Sequence, residues 1–405
     1  MRRNMRRLKK YTALPVFLIL FMPPLFCLNI NVSAQRHYNV HNPFPRIEDG
    51  NIDLFSEIFN ISGADEIAEN LPETARRYLG GENAVSLENI SAVFNFGFIF
   101  NIIMSITGGL AQAAVRNFLP VIALITLSAV ISMTKNLNKS ESFSEILNFV
   151  MLVCLAGTVF YGVRECFFAA KAFLDDIHAY MLSIIPVMAS LSTLSGNIAS
   201  AAVNSAGLFA VLNVAAAISN GVILPVLQIC YALSLARCLS ESSGAVDLSG
   251  INSYVRSVLS WIFLFVMSAL VTVIFFQNIL ASSADSVAVR TVKFTVTSFV
   301  PIVGSIIGDA TRAIVGSMQA VKSVTGVFGV LVIIITLLPP LISVILHKLL
   351  LKISGAFALI LGLDKQAGFL KEMNSLLDMT LAVMIAVSVV FIFNITVFIR
   401  TMAVV

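Results

Sequence analysis

The chain has 405 residues, of which 58% are hydrophobic and only 12% charged, with a mean hydropathy of +0.92. Soluble globular domains carry about 25% charged residues, so this composition excludes a water-soluble fold and specifies an integral membrane protein. The net charge of +4 does not point to nucleic acid. Arg2, Arg3, Arg6, Arg7, Lys9 and Lys10 supply six positive charges at the extreme N-terminus, and the other 20 basic residues face 22 acidic ones with no basic patch.

Residues 1–34 have the three parts of a secretory signal: the basic start, the apolar run Leu14 to Leu28, and the small-residue site Val32-Ser33-Ala34. Cleavage is expected between Ala34 and Gln35. The alternative is an uncleaved first transmembrane helix, but Pro23 and Pro24 leave the run short of the roughly 20 residues a span needs.

Residues 35–93 form an extracytoplasmic segment with ten acidic residues against four arginines. Leu54, Phe55, Ile58 and Phe59 recur at helical spacing, and Pro72 suits the first turn of a second short helix ending near Gly80-Gly81. With so few core candidates the segment is marginal as an independent domain. It is either a docking surface for an outside partner or a helical leader packed on the membrane domain.

Residues 94–405 are expected to form a multi-span membrane domain. The strong span candidates are Phe118 to Thr134, Ile146 to Val163, Ala206 to Ala236, Val258 to Leu280, Val324 to Leu346 and Met379 to Ile399. The third is expected to break near Asn220 to Pro225. Val93 to Val115 and Ala356 to Leu363 are weaker. Met181 to Leu194 and Phe294 to Ile307 are short runs with an internal proline, which predicts broken or re-entrant helices. Lys135 with Lys139, and Lys348 with Lys352, are candidate cytoplasmic clusters.

The proline segments also predict an internal duplication, with copies at 171–280 and 286–396. Ile185-Pro186-Val187 and Val300-Pro301-Ile302 lie 115 positions apart, and Pro225 and Pro340 share that spacing. Ser190 falls on Ser305 and Arg237 on Lys352; one residue further on, Val271 to Asn278 aligns with Val387 to Asn394. A fainter third copy begins at Leu119-Pro120-Val121. Pro186, Pro225 and Pro340 are thus expected to be repeat-related helix breaks. Repeats of this kind resemble the plan of secondary transporters, whose sites lie where the repeats meet. Fold class is therefore all-α and polytopic.

The stretch from Ser286 to Gly329 stands apart, because Arg290, Lys293, Asp309, Arg312 and Lys322 lie among residues otherwise suited to a membrane. Ionisable groups at membrane depth are costly, so the stretch either lines a polar interior or partner contact, or lies at the interface with its charges in water. Pro301 and Gly304 can break a helix, and Gly308, Gly316, Gly326 and Gly329 offer surfaces for close packing. Asp309 and Arg312 would share a helix face. Lys322, near the start of the next span, is expected to reach toward the interface.

VAVRTVKF, the SFVPIVG turn, GDAT, and a lysine followed by the glycine pair of TGVFG together resemble the signature region of the stage III sporulation protein AE family. The signal, acidic segment and polytopic remainder match that family's layout, so the resemblance covers essentially the whole chain. Arg312 stands where relatives are expected to carry an acidic residue. The resemblance implies a component of the secretion-like channel complex joining mother cell and forespore, in the mother-cell-derived outer forespore membrane, supporting forespore development and late gene expression. It implies an ATPase, ring-forming proteins and a forespore membrane protein as partners.

Catalytic motifs are not found: the chain has no HExxH, GxSxG, Walker lysine loop or GxGxxG after a strand. His37, His41, His178 and His347 are scattered, and Cys154, Cys166, Cys230 and Cys238 lack metal spacing. Asp175-Asp176 reads as a solvated loop. The serines and asparagines of Ser190 to Asn220 suit either a pore lining or helix-packing contacts. The expectation is a non-enzymatic protein without cofactor or metal, with membrane lipid and other channel proteins as partners. The alternative is an autonomous secondary transporter or permease.

Overall fold

The computed structural model describes residues 58–59, 61–63, 67, 69–79, 96–134, 141–195, 197–243, 249–299 and 304–400, with side chains in 281–299 and 304–315 outside that description. The expected signal, its cleavage between Ala34 and Gln35, and Pro301 lie outside the described residues. Among the described residues there are eight α-helices and one π-helical turn. These are α1 (Glu73–Leu79), α2 (Phe96–Thr134), α3 (Glu141–Leu194), α4 (Ile198–Ile218), the π turn (Ser219–Ile223), α5 (Leu224–Ser243), α6 (Ser249–Phe299), α7 (Gly304–Ile360) and α8 (Asp364–Arg400).

Such uniformity follows from the solvent. Hydrocarbon offers no partner for a backbone N–H or C=O, so a spanning segment must satisfy them within itself. Six helical stretches are long and apolar enough to cross a membrane, with α4, the π turn and α5 counting as one. Their lengths run from 25 to 49 residues. At about 1.5 Å per residue the longest reaches ~74 Å, more than twice the roughly 30 Å hydrocarbon layer.

Side-chain contacts fix the direction of each helix. α3 runs antiparallel to α7, with Gly162 against His347 and Ile184 against Gly329. α8 is also antiparallel to α7, from the Lys348–Asp378 ion pair to Lys322 over the Phe398 ring. Phe118 of α2 meets His347 edge to face, with ring centroids 6.1 Å apart. Along α3, the π turn and α5 descend from the Asn220–Asp175 bond to Tyr231 beside the Ala156 carbonyl, and α5 reaches α8 at the Arg237–Glu372 pair. α6 returns from Ser260 at Met379 to Gln277 against Gly207. The result is three antiparallel hairpins, α2–α3, α4/α5–α6 and α7–α8. The starts of α6 and α8 lie 115 residues apart, the spacing of the sequence duplication.

The bundle therefore has two distinguishable ends. One carries the ion pairs Arg237–Glu372 and Lys348–Asp378 and the tight turn after α7, where Gly362 adopts φ +75. A positive φ is cheap only for glycine. The other carries Lys322, Phe398 and the leader. Ile58, Ile67, Leu71, Ala75 and Leu79 are buried in the same core as the long helices, and Ser190 Oγ donates to the Ser62 carbonyl at 2.7 Å. The described part of the leader is packed on the membrane domain.

Several local expectations are corrected. Pro186 and Pro340 do not break their helices: α3 continues through Pro186, and α7 through Pro339 and Pro340. A proline removes one ladder hydrogen bond, but these helices are held along their length by neighbours, and that packing outweighs one lost bond. Met181 to Leu194 is accordingly the end of α3, not a re-entrant piece. The break expected before Pro225 is a π turn, in which the Leu224 N–H bonds to the Ser219 carbonyl five residues back. The helix widens for one turn and continues. Asp175 and Asp176 are exposed on α3 rather than in a loop. Ser200, Asn204 and Ser219 are buried, placing part of the polar series between helices.

Gly326 and Gly329 set the approach of α7. A Cβ at Gly326 would collide with Ile399, and one at Gly329 would lie 3.0 Å from Ile184 Cδ1 and 3.3 Å from Ile395 Cδ1. Gly326→Val is expected to overpack this contact and lower stability by about 1–3 kcal/mol, read as a lower unfolding midpoint of the detergent-solubilised protein. Adding Ile399→Ala should recover part of the loss, and a midpoint unchanged by Gly326→Val would refute the close contact.

Candidate functional site

The charged stretch singled out in the sequence is distributed over two helices. Arg290 and Lys293 lie in α6, and Gly304 is the first residue of α7. Asp309 and Arg312 follow within the first three turns of α7, so their three-residue spacing places them on one helix face. The side chains of these four charged residues lie outside the described residues. Further along α7, the part from Gly316 to Gly329 is described in full.

There Lys322 is 1% exposed and among the largest wholly buried side chains. Its expected reach toward the interface is replaced by enclosure, with Nζ 4.9 Å from the centroid of the Phe398 ring. The reason is geometric. Gly326, one turn on, brings α8 so close that a lysine on this face points into the helix interface instead of along it. A cation over an aromatic face gains about 0.5–2 kcal/mol, most when water is excluded.

Other polar groups are buried near this end. Thr325 on α7 is 1% exposed, Tyr180 on α3 1% and Asn394 on α8 5%. Thr325 Oγ1, Tyr180 Oη and Asn394 Nδ2 have no hydrogen-bond partner among the described residues. Tyr180 Oη lies 3.9 Å from where a Cβ of Gly329 would stand. Buried polar atoms without partners are costly, so three of them on the helices that enclose Lys322 mark this interface as more than an apolar seam. Chemically it is a buried cation over an aromatic ring, with Thr325 one turn on along α7 and Asn394 one turn before Phe398 on α8.

Pro186 lies on α3 between Ile184, which meets Gly329, and Ser190, which meets the leader, whereas Pro340 lies farther along α7 and Pro225 in α5, so the described structure does not gather these three prolines into one site. The sequence reading missed Tyr180, Thr325, Asn394 and Phe398. Spacing on α7 puts Thr325 one turn from Lys322, and that signal was available; the residues of α3 and α8 are recognisable only once the helices are packed.

Phe398→Leu keeps apolar volume but removes the ring, and is expected to cost about 0.5–2 kcal/mol. The measurement is the thermal unfolding midpoint, and an unchanged midpoint would mean that the ring does not help to hold Lys322. Lys322→Glu, which buries a carboxylate against the ring, should cost more than Phe398→Leu.

Comparison with known proteins agrees with the architecture. The family described as Stage III sporulation protein AE matches residues 85–402, which takes in every long helix. A curated relative, Stage III sporulation protein AE of Bacillus subtilis (strain 168), is 22% identical over 281 residues, covering 69% of this chain and 69% of its own. No solved structure matches the chain. The match extends from the end of the leader through α8, so this chain belongs to the Stage III sporulation protein AE family of sporulation membrane proteins.

Proposed function

We propose that this protein is a non-enzymatic membrane component of a secretion-like channel complex that links mother cell and forespore and sustains forespore development and late gene expression. The observation that carries the reading is the family match across residues 85–402, which spans all six long apolar helices. In this reading the membrane is the mother-cell-derived outer forespore membrane. The partners are an ATPase on the mother-cell side, ring-forming proteins between the membranes and a forespore membrane protein.

The two ends of the bundle support an orientation. If the leader is exported, the end bearing Ser62, Ser190 and Lys322 faces the space between the membranes. The opposite end, with Arg237, Lys348, Lys352 and the turn at Gly362, then faces the mother-cell cytoplasm, as positive-inside bias favours. Six crossings return the chain to the side of the leader, and the end of α8 lies there too. Asp309, Arg312 and Lys322 on the early turns of α7 then belong to the intermembrane side, where a ring would dock.

The tagged protein is expected to copurify with ring and ATPase components from sporulating cells. Asp309→Ala with Arg312→Ala should block sporulation without lowering protein level. In a chain freed of its own cysteines, single cysteines replacing the exposed Glu73 and Lys352 should react with an impermeant thiol reagent from opposite sides of the membrane. Solute movement in liposomes by the protein alone would favour an autonomous secondary transporter instead, and normal sporulation with the double alanine variant would remove the charged stretch as the site.

A further inference from the structure

Away from Lys322, a cavity of about 240 Å³ lies among α2, α3 and α7. Its lining includes Arg116, Asn117, Thr158, Tyr161 and His347, set among Phe118, Val121, Val159 and Leu351. His347 is 6% exposed, yet its Nε2 has no hydrogen-bond partner among the described residues. Nδ1 lies 2.9 Å from the Ser343 carbonyl oxygen, which can only accept. Nδ1 therefore carries the hydrogen, and in the neutral ring Nε2 presents a lone pair. Room for the imidazole comes from Gly162, where a Cβ would approach His347 Cδ2 to 3.2 Å.

The lining thus combines one permanent cation, Arg116, with an acceptor that asks for a hydroxyl; Thr158 Oγ1 donates to the Cys154 carbonyl and Tyr161 to Glu165, so these two hydroxyls can only accept. An anion alone would satisfy Arg116 and leave Nε2 unpaired; a neutral polyol would do the reverse. The volume is below the roughly 300–1000 Å³ of pockets for drug-sized ligands, enough for a headgroup and not for acyl chains. The chains would have somewhere to lie, because Leu119 and Ile122 on α2 are exposed apolar side chains within about one turn of the lining residues Arg116 and Phe118.

We propose that this cavity binds a phosphodiester bearing free hydroxyls, the headgroup chemistry of phosphatidylglycerol, with Arg116 on the phosphate and His347 Nε2 accepting from a glycerol hydroxyl. Lys348, next to His347, pairs with Asp378, so the site lies level with the charged end of the bundle. A lipid headgroup would be expected at that level. The same chemistry exists in soluble glycerophosphodiesters, and the proposal commits to the lipid.

The test uses the full-length protein in a neutral detergent, with bound lipid counted by native mass spectrometry and the unfolding midpoint followed in parallel. Phosphatidylglycerol, phosphatidylcholine, phosphatidic acid and soluble glycerophosphoglycerol are the probes. Phosphatidylglycerol is expected to bind and raise the midpoint, with the other three at least tenfold weaker. Arg116→Gln, at an exposed position, should fold normally and weaken binding about tenfold or more. His347→Gln and Gly162→Val should also weaken it; should either fail to fold, Arg116→Gln decides. Equal binding of phosphatidylcholine, or wild-type affinity in Arg116→Gln, would overturn the site. Equal binding of the soluble diester would overturn the lipid as its source.

Discussion

The arrangement depends on the packing of α8 against its neighbours. Within its apolar window 61% of residues are buried, against 28–39% for the other five spans, and α8 contacts α3, α4, α5, α6 and α7. In lipid there is no hydrophobic force between apolar helices, so such a centre must be held by close contact, small residues and polar bonds. All three are present. Gly326 and Gly329 admit Ile399 and Ile395, the Arg237–Glu372 and Lys348–Asp378 pairs secure one end, and Lys322 over Phe398 secures the other. The outer helices can then expose Trp261, Phe265 and Leu119 to lipid without loss of cohesion.

This arrangement separates support from function. At the turn end Arg237–Glu372 joins α5 to α8, helices distant in sequence, and Lys348–Asp378 joins the consecutive α7 and α8; together they fix the register of the three helices. Both ends bury polar atoms without partners among the described residues, Tyr180, Thr325 and Asn394 toward the leader and His347 and Asn374 toward the turn, and the backbone of α7 carries Asp309 and Arg312 into the leader end. A membrane protein that keeps unpaired polar atoms buried must be compensated elsewhere, and α8 provides the compensation.

Much of this was legible in the sequence. Length and hydropathy located the spans because a bilayer leaves few alternatives, and the glycines of TGVFG marked a close contact because only glycine removes the Cβ. The errors have a common origin. Proline was read by its local effect, and at Pro186 and Pro340 the neighbours override that effect. Lys322 was read by its distance from the span end, whereas its burial depends on which face α8 covers. Arg116 and His347 are 231 residues apart, and no periodicity joins them. Their meeting is a property of three packed helices.

The order of the chain gives the central position of α8 a further meaning. The span with the largest buried share emerges from the ribosome after the five helices it touches, since α3 through α7 precede it. Until α8 arrives, the faces that α3 to α7 turn toward it lie uncovered in the bilayer, although α3 already packs on α2, α4 and α7. Assembly of this protein is then a late event, closed by α8 folding back across the three-residue turn from α7. Quality control has a natural window there: a chain stopped before α8 would be inserted and helical, with α3 already on α2, α4 and α7, yet would lack its most buried span.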